Sequence, residues 1–91
     1  MPVSHSLLVA GIGRVTMPAN GPWTLGSNGT GSPEIRDASD KRTDIDVTFP
    51  NGKLGHNVSF AKHADVMKII TAFNVALAEE KLAAAEAKHN A

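Results

Sequence analysis

One segment of the 91-residue chain, GSNGTGS at positions 26–32, has the composition of a ligand-binding loop. Successive backbone N–H groups and hydroxyls ahead of a helix start could hold an anion such as a phosphate. The phosphate-loop motif also needs a Lys followed by Ser or Thr after its last glycine, whereas Ser32 and Pro33 stand there in this chain. The segment is therefore more typical of a flexible turn than of a phosphate site.

A small-ligand function stays open as the alternative hypothesis, with a phosphorylated metabolite or a signalling nucleotide as the ligand. In it, the loop holds phosphate, two arginines neutralise the charge, and the only tryptophan stacks on a base. For the tryptophan we favour burial as an anchor of the loop, because so small a core can hardly spare it. The residues of this candidate ligand or partner loop are Arg14, Trp23, Ser27, Asn28, Gly29, Thr30, Gly31 and Arg36.

Histidine and aspartate side chains are the remaining candidates for catalysis or metal binding. His56, His63 and Asp65 could supply three ligands, but histidines seven residues apart across a strand–helix boundary have no established ligand geometry. Asp44 and Asp46 would project together from a solvated strand face, which lacks the burial that acid–base work by paired carboxylates requires. Cysteine, tyrosine and a Gly-x-Ser-x-Gly motif are absent, so the usual signatures of a nucleophile are missing. We predict that the protein is not an enzyme and binds no metal or cofactor.

Composition bounds the classes of protein to which the chain can belong. Its length predicts one small domain over residues 1–91, and without cysteine no disulfide can support so small a core. Nine basic and nine acidic residues cancel, which argues against nucleic-acid binding, since such binding relies on many Lys and Arg contacts to phosphate. No apolar run approaches the length of a membrane span, and the first ten residues lack a signal-peptide pattern. We therefore expect a cytoplasmic protein with no membrane partner.

Residues 4–60 are predicted to be rich in short β-strands and turns. Residues 6–17 are rich in Leu, Val and Ile and predict one strand, in which Gly11 and Gly13 mark a bulge or a close approach of another backbone. Residues 18–33 form a glycine-rich loop that contains a candidate short strand at 23–25. For residues 33–39, the hydroxyl cap and proline of a helix start compete with a strand around Ile35, and the pattern does not separate the two.

A β-hairpin is the clearest signal of the second half. Residues 43–49 alternate between polar and apolar side chains, and Asn51-Gly52 is the typical dipeptide of a two-residue type I′ turn. That turn sets a register in which every apolar residue of the hairpin lies on one face, with His56 among them. The predicted pairs are Phe49–Leu54, Val47–His56 and Ile45–Val58.

One long helix is predicted over residues 61–88, where neither proline nor glycine interrupts the chain and Ser59 can serve as the N-cap. At about 1.5 Å per residue, it would approach ~40 Å, which is longer than a small sheet is wide. It carries two apolar stripes on nearly opposite sides. The stripe expected to cover the sheet comprises Val66, Ile69, Ile70, Phe73 and Leu77. The second, here called the outer stripe, comprises Thr71, Val75, Ala78, Leu82 and Ala85.

These elements predict an α+β fold, in which a small antiparallel β-sheet of three to four strands packs against one long C-terminal α-helix. The outer stripe recurs at spacings of four and three, the pattern of a helix–helix seam. Since one compact domain needs only one apolar stripe, we expect a homodimer, most simply through antiparallel or crossed helices. The alternative is that Val75 and Leu82 are merely exposed. We predict a small interaction protein that binds another, unidentified protein, as accessory and inhibitor proteins of bacteria and phages do.

Overall fold

A computed structural model describes residues 5–27 and 29–89 and confirms the α+β fold. Within these residues, seven strands form two antiparallel sheets, and one long helix packs against both. The strands are β1 (His5–Val9), β2 (Gly13–Met17), β3 (Thr24–Ser27), β4 (Pro33–Arg36), β5 (Arg42–Thr43), β6 (Ile45–Thr48) and β7 (Leu54–Val58), and the helix is α1 (His63–His89). The first sheet has the order β1-β2-β6-β7 and the second the order β3-β4-β5. Asp44 carries the chain from the second sheet to the first.

Residues 6–17 belong to a hairpin and not to the single strand that the sequence predicted. The chain turns between β1 and β2, where Gly11 has a φ of 79°. Glycine adopts such a positive φ without the steric cost that a Cβ would impose. The expected close approach of another backbone is found at Gly13, where a Cβ would lie 2.3 Å from the Thr48 carbonyl oxygen. The two glycines therefore end one strand and let the next lie close against β6.

The hairpin of β6 and β7 is confirmed, but its predicted two-residue turn is wrong. The loop has three residues, Pro50 to Gly52. Phe49 N–H donates to the Lys53 carbonyl at 2.8 Å, and Gly52 N–H donates to the Phe49 carbonyl at 2.9 Å. A two-residue loop would need the N–H of residue 50 for this closure, and proline has none. Proline instead suits the first central position of a type I turn, which Gly52 follows with a φ of 85°.

The longer loop changes which residues of β7 face inward. Leu54 faces solvent, and Gly55 takes the inward position that was predicted for His56. The His56 side chain is 74% exposed, so its predicted place on the apolar face is wrong. A bulge, at which Asn57 has a φ of 53°, then returns Val58 to the inward face. The observed pairs are Thr48–Leu54, Val47–Gly55 and Ile45–Val58, of which only the last was predicted.

The second sheet forms within the region that the sequence predicted to be mostly loop. β3 supplies the short strand expected there, at residues 24–27. For residues 33–39 the structure selects the strand over the helix, because β4 pairs with β3 on one side and with β5 on the other. Both partners lie outside the segment, so local helix-start chemistry could not reveal them.

Helix α1 covers both sheets with the stripe that was predicted to do so. Val66, Ile69, Ile70 and Phe73 are buried, and Leu77 is packed against the same cluster. The helix begins at His63, so Ser59 lies too far upstream to be its N-cap. The other buried core residues are Val9, Ile12, Val15, Met17, Trp23, Ile35, Ile45 and Val47.

Candidate functional site

The last part of α1, residues 78–89, extends beyond the sheets as a free helical segment. Every residue in it is exposed, whereas all the buried residues of the helix lie before it. The segment is about 18 Å long at 1.5 Å per residue, and the long axis of the molecule measures 48 Å. Glu80 still reaches His5 of β1, with 3.5 Å between Oε1 and Nδ1. Isolated helices of this length are marginal in water, so the segment depends on the packed part of α1.

The outer stripe lies on the solvent face of α1 along its whole length. Val75 is 51% exposed and Leu82 is 60% exposed, and Thr71, Ala78 and Ala85 are exposed as well. Residues three and four apart share a helix face, so the five side chains form one continuous surface. This surface begins where the helix still covers the sheets and continues onto the free segment. It has the geometry of one half of a helix–helix seam.

Charged residues line the two edges of the outer stripe, with one sign on each edge. Glu79 and Glu86 form the acidic edge, and Lys81 and Lys88 form the basic edge. Each pair repeats at an interval of seven, which keeps its members on the same side of the stripe. Within residues 5–27 and 29–89, no ion pair involves any of these four side chains. An apolar stripe between an acidic and a basic edge is typical of a coiled-coil helix.

Trp23 is an anchor, as the sequence favoured, and is only 1% exposed. Its ring makes edge-to-face contacts with Phe73, at a centroid distance of 5.7 Å, and with His5, at 5.9 Å. The indole N–H donates to the Ala19 carbonyl at 3.1 Å. The ring is therefore enclosed by the core and is not placed to stack on a ligand base.

Asn74 of α1 holds the backbone from which the Trp23 side chain extends. Its amide N–H donates to the Trp23 carbonyl at 2.8 Å, and its amide oxygen accepts the Trp23 N–H at 2.9 Å. Both main-chain groups of Trp23 are thereby paired in a partly buried place, where unpaired groups are costly. Sequence reasoning missed this residue. The available signal was an Asn, a poor helix former, directly after a predicted core position.

The glycine-rich segment forms the tip of the β3–β4 hairpin. Ser27 ends β3, and Gly29 and Gly31 follow with φ of 84° and 88° and open space around them. Thr30 is exposed as well, and Asn28 lies outside the described residues. Because a strand and not a helix follows the loop, the helix N-terminus on which the predicted anion site depended is missing.

The two arginines assigned to a ligand's charge lie on different sheets. Arg14 is on the outer face of the first sheet, where its Nη1 is 3.5 Å from Ser6 Oγ. Arg36 is on β4 of the second sheet, where its guanidinium lies 3.1 Å from the Glu34 carboxylate and donates to the Asp40 carbonyl at 2.9 Å. The loop, the arginines and the tryptophan therefore do not form one phosphate site.

The outer face of the first sheet is exposed across all four strands. Its side chains form two rows of cross-strand neighbours, and in one row His56 Nδ1 lies 3.3 Å from Asp46 Oδ1. Asp46 stands between His56 and Thr16, so in this row the carboxylate, and not the imidazole, is the neighbour of the hydroxyl, which is not the order of a catalytic triad. In the described part of the chain, no three His, Asp or Glu side chains are grouped as metal ligands. The rows are Ser6, Thr16, Asp46 and His56, and Leu8, Arg14, Thr48 and Leu54.

A crevice of about 260 Å³ opens where β4 begins, next to the segment that leads into α1. Its charged side chains are paired with neighbours: Glu34 with Arg36 and Arg42 with Asp44, each at 3.1 Å. An adjoining cavity of about 30 Å³ has room for about one water molecule. The two charged side chains that line the crevice are thus already paired within the chain.

Comparison of the chain with protein-family models, with curated protein sequences and with solved structures finds no match. Among the described residues, no helix combines the length and the apolar character needed to cross a membrane. The geometry of the chain itself is therefore the basis for a functional conclusion.

Proposed function

We propose that this chain is a small, non-enzymatic interaction protein that binds another macromolecule, and that two copies of it associate through the outer stripe. The observation that carries the proposal is the free segment of α1, along which an apolar stripe continues past the part that covers the sheets. A helix that only covered the sheets could end near Leu77. Ordering the further residues costs conformational entropy without burying apolar area in the monomer, and a partner on the stripe would offset that cost.

Burial of the outer stripe would support a weak association. Full burial of a Val or Leu side chain contributes about 1.5–3 kcal/mol, and about half of Val75 and of Leu82 is still exposed. The four such side chains of a symmetric pair would contribute about 3–6 kcal/mol, to which the smaller stripe residues add. Immobilising two molecules costs several kcal/mol. The net gain is therefore small, and we expect a weak dimer that forms only at high chain concentration and dissociates on dilution.

Sedimentation velocity from about 5 to 500 µM tests the dimer. Val75→Glu/Leu82→Glu should keep the chain monomeric throughout, because it places four carboxylates in the seam and leaves the buried stripe intact. The matched control is Leu8→Glu/Leu54→Glu. These two leucines are 73% and 69% exposed on the outer face of the first sheet. The control should dimerise as the wild type does.

Two results would contradict the proposed interface. One is a wild-type chain that remains monomeric at the highest concentration. The other is a dimer that survives Val75→Glu/Leu82→Glu and is lost in Leu8→Glu/Leu54→Glu, which would assign the contact to the sheet. For binding to another macromolecule, the test is capture from the source cell by the folded wild type. Failure to retain any protein, nucleic acid or other macromolecule specifically would count against that function.

A further inference from the structure

We propose that the second molecule on the outer stripe is another copy of this chain, lying parallel to the first and in register with it. This inference rests on the proposed function, because it specifies the orientation of the partner at the same stripe. Two observations carry it. The edges of the stripe have opposite charge, and the folded body lies on the other side of the helix.

A parallel pair brings the acidic edge of one helix against the basic edge of the other. When the twofold axis runs along the helices, a residue on one edge faces the residue five positions later on the partner. Lys81 of each copy would therefore face Glu86 of the other, once on each side of the seam. Within its own helix, neither side chain has a partner of fixed opposite charge three or four residues away. The charge of each is thus available to a second chain.

An antiparallel pair would place like charges together. Its twofold axis runs across the helices, so acidic edge faces acidic edge and basic edge faces basic edge. In the register that overlaps the free segments, Val75 lies opposite Ala85 of the other copy. Glu79 then lies beside the second Glu79, and Lys81 beside the second Lys81. Juxtaposed like charges disfavour this orientation.

The folded body of each copy leaves room for a parallel seam. The buried residues of α1 lie on nearly the opposite side of the helix from Val75 and Leu82, so the two bodies would lie on the outer sides of the pair. Lys68 precedes Thr71 on the side of the stripe, and its Nζ reaches toward the β1–β2 turn, 3.8 Å from where a Cβ on Gly11 would lie. The seam can therefore begin at Thr71 without a lysine between the helices.

Exchange of the two charges tests the predicted contact. Lys81→Glu alone and Glu86→Lys alone should each raise the dissociation constant about tenfold, because two attractive pairs become two repulsive ones. The double variant Lys81→Glu/Glu86→Lys restores opposite charges across a parallel seam and should return the constant to within about threefold of wild type. In an antiparallel pair, combining the two substitutions would not restore the dissociation constant in this way. If the dissociation constant of the double variant is as high as those of the single variants, the parallel orientation is overturned.

Disulfide cross-linking of single introduced cysteines reports the orientation of the two helices directly, because the chain contains no cysteine of its own. In a parallel pair, Ala85→Cys faces its own copy and should form a disulfide dimer under mild oxidation. In the antiparallel register the two cysteines would be about 15 Å apart, beyond the reach of a disulfide. Ala87→Cys, on the same free segment but away from the stripe, is the matched control and should stay monomeric.

The two proposals fail in different ways. Rapid cross-linking of Ala85→Cys, together with the charge rescue, supports the parallel pair. A disulfide that forms only between Val75→Cys and Ala85→Cys chains overturns the orientation and leaves the dimer of the proposed function standing. A wild-type chain that sediments as a monomer, with no cross-link in any variant, overturns both.

Discussion

Asn74→Ala should destabilise the fold far more than loss of a surface side chain does. The substitution removes hydrogen bonds of 2.9 and 2.8 Å and leaves the Trp23 N–H and carbonyl without their protein partner. Each orphaned group costs about 1–3 kcal/mol. Because alanine is the better helix former, it recovers about 0.5 kcal/mol. The net loss should be about 1.5–5.5 kcal/mol, a large fraction of the ~5–14 kcal/mol typical of a chain of this length.

Asn74→Asp distinguishes the contributions of the two Asn74–Trp23 hydrogen bonds. A carboxylate can still accept the Trp23 N–H, but it has no N–H to donate to the Trp23 carbonyl. It also turns a charged oxygen toward that carbonyl. We expect Asn74→Asp to be at least as destabilising as Asn74→Ala, although it preserves size and one of the two bonds.

Urea denaturation at a few micromolar chain, followed by tryptophan emission, measures both effects. The buried indole reports directly on the segment that Asn74 holds. The control is Asn51→Ala, which removes one exposed bond to the Lys53 N–H at 3.0 Å and should cost about 0.5 kcal/mol or less. The reasoning is refuted if Asn74→Ala costs less than about 1 kcal/mol, or no more than the control.

Four further perturbations test the packing and the free helix. Gly13→Ala should cost about 3 kcal/mol or more, because its Cβ would lie 2.3 Å from the Thr48 carbonyl oxygen. Gly29→Ala, with open space and a φ of 84°, should cost only about 1–2 kcal/mol, and thermal unfolding by circular dichroism compares the two. Phe73→Ala, at a residue 1% exposed, should lower the free energy of unfolding in urea by about 3–5 kcal/mol; a small effect would show that the core repacks around it. Truncation after Leu82 should change stability by about 0.5 kcal/mol or less and abolish the dimer in sedimentation, whereas marked unfolding would mean that the removed segment supports the body.

Local patterns were enough to predict the helix and its buried face. An uninterrupted run of helix-forming residues predicted the long helix, and the spacing from Val66 to Leu77 predicted the face that covers the sheets. Both properties depend on residues three or four apart, which one helix brings together by itself. The same logic located the outer stripe and its exposure, although not what it contacts.

The wrong hairpin register had a cause that was readable in the sequence. Asn51-Gly52 was interpreted as a complete turn, while Pro50 lacks the N–H that a two-residue loop would require at that place. The bulge at Asn57 was less accessible. It restores Val58 to the core after the longer loop has shifted the strand by one residue, and such compensation depends on the packed face and not on a local motif.

The sequence by itself determined the fold class, the long helix with its two faces, and the burial of a lone tryptophan in so small a core. Only the tertiary structure decided that the strands divide into two sheets, that Arg14 and Arg36 lie apart, and that Asn74 holds Trp23. The reason is physical. Helix faces follow from hydrogen bonds between near neighbours in the chain. Strand pairs and the Asn74–Trp23 hydrogen bonds join residues that are far apart in the chain, so which residues pair depends on how the whole core packs.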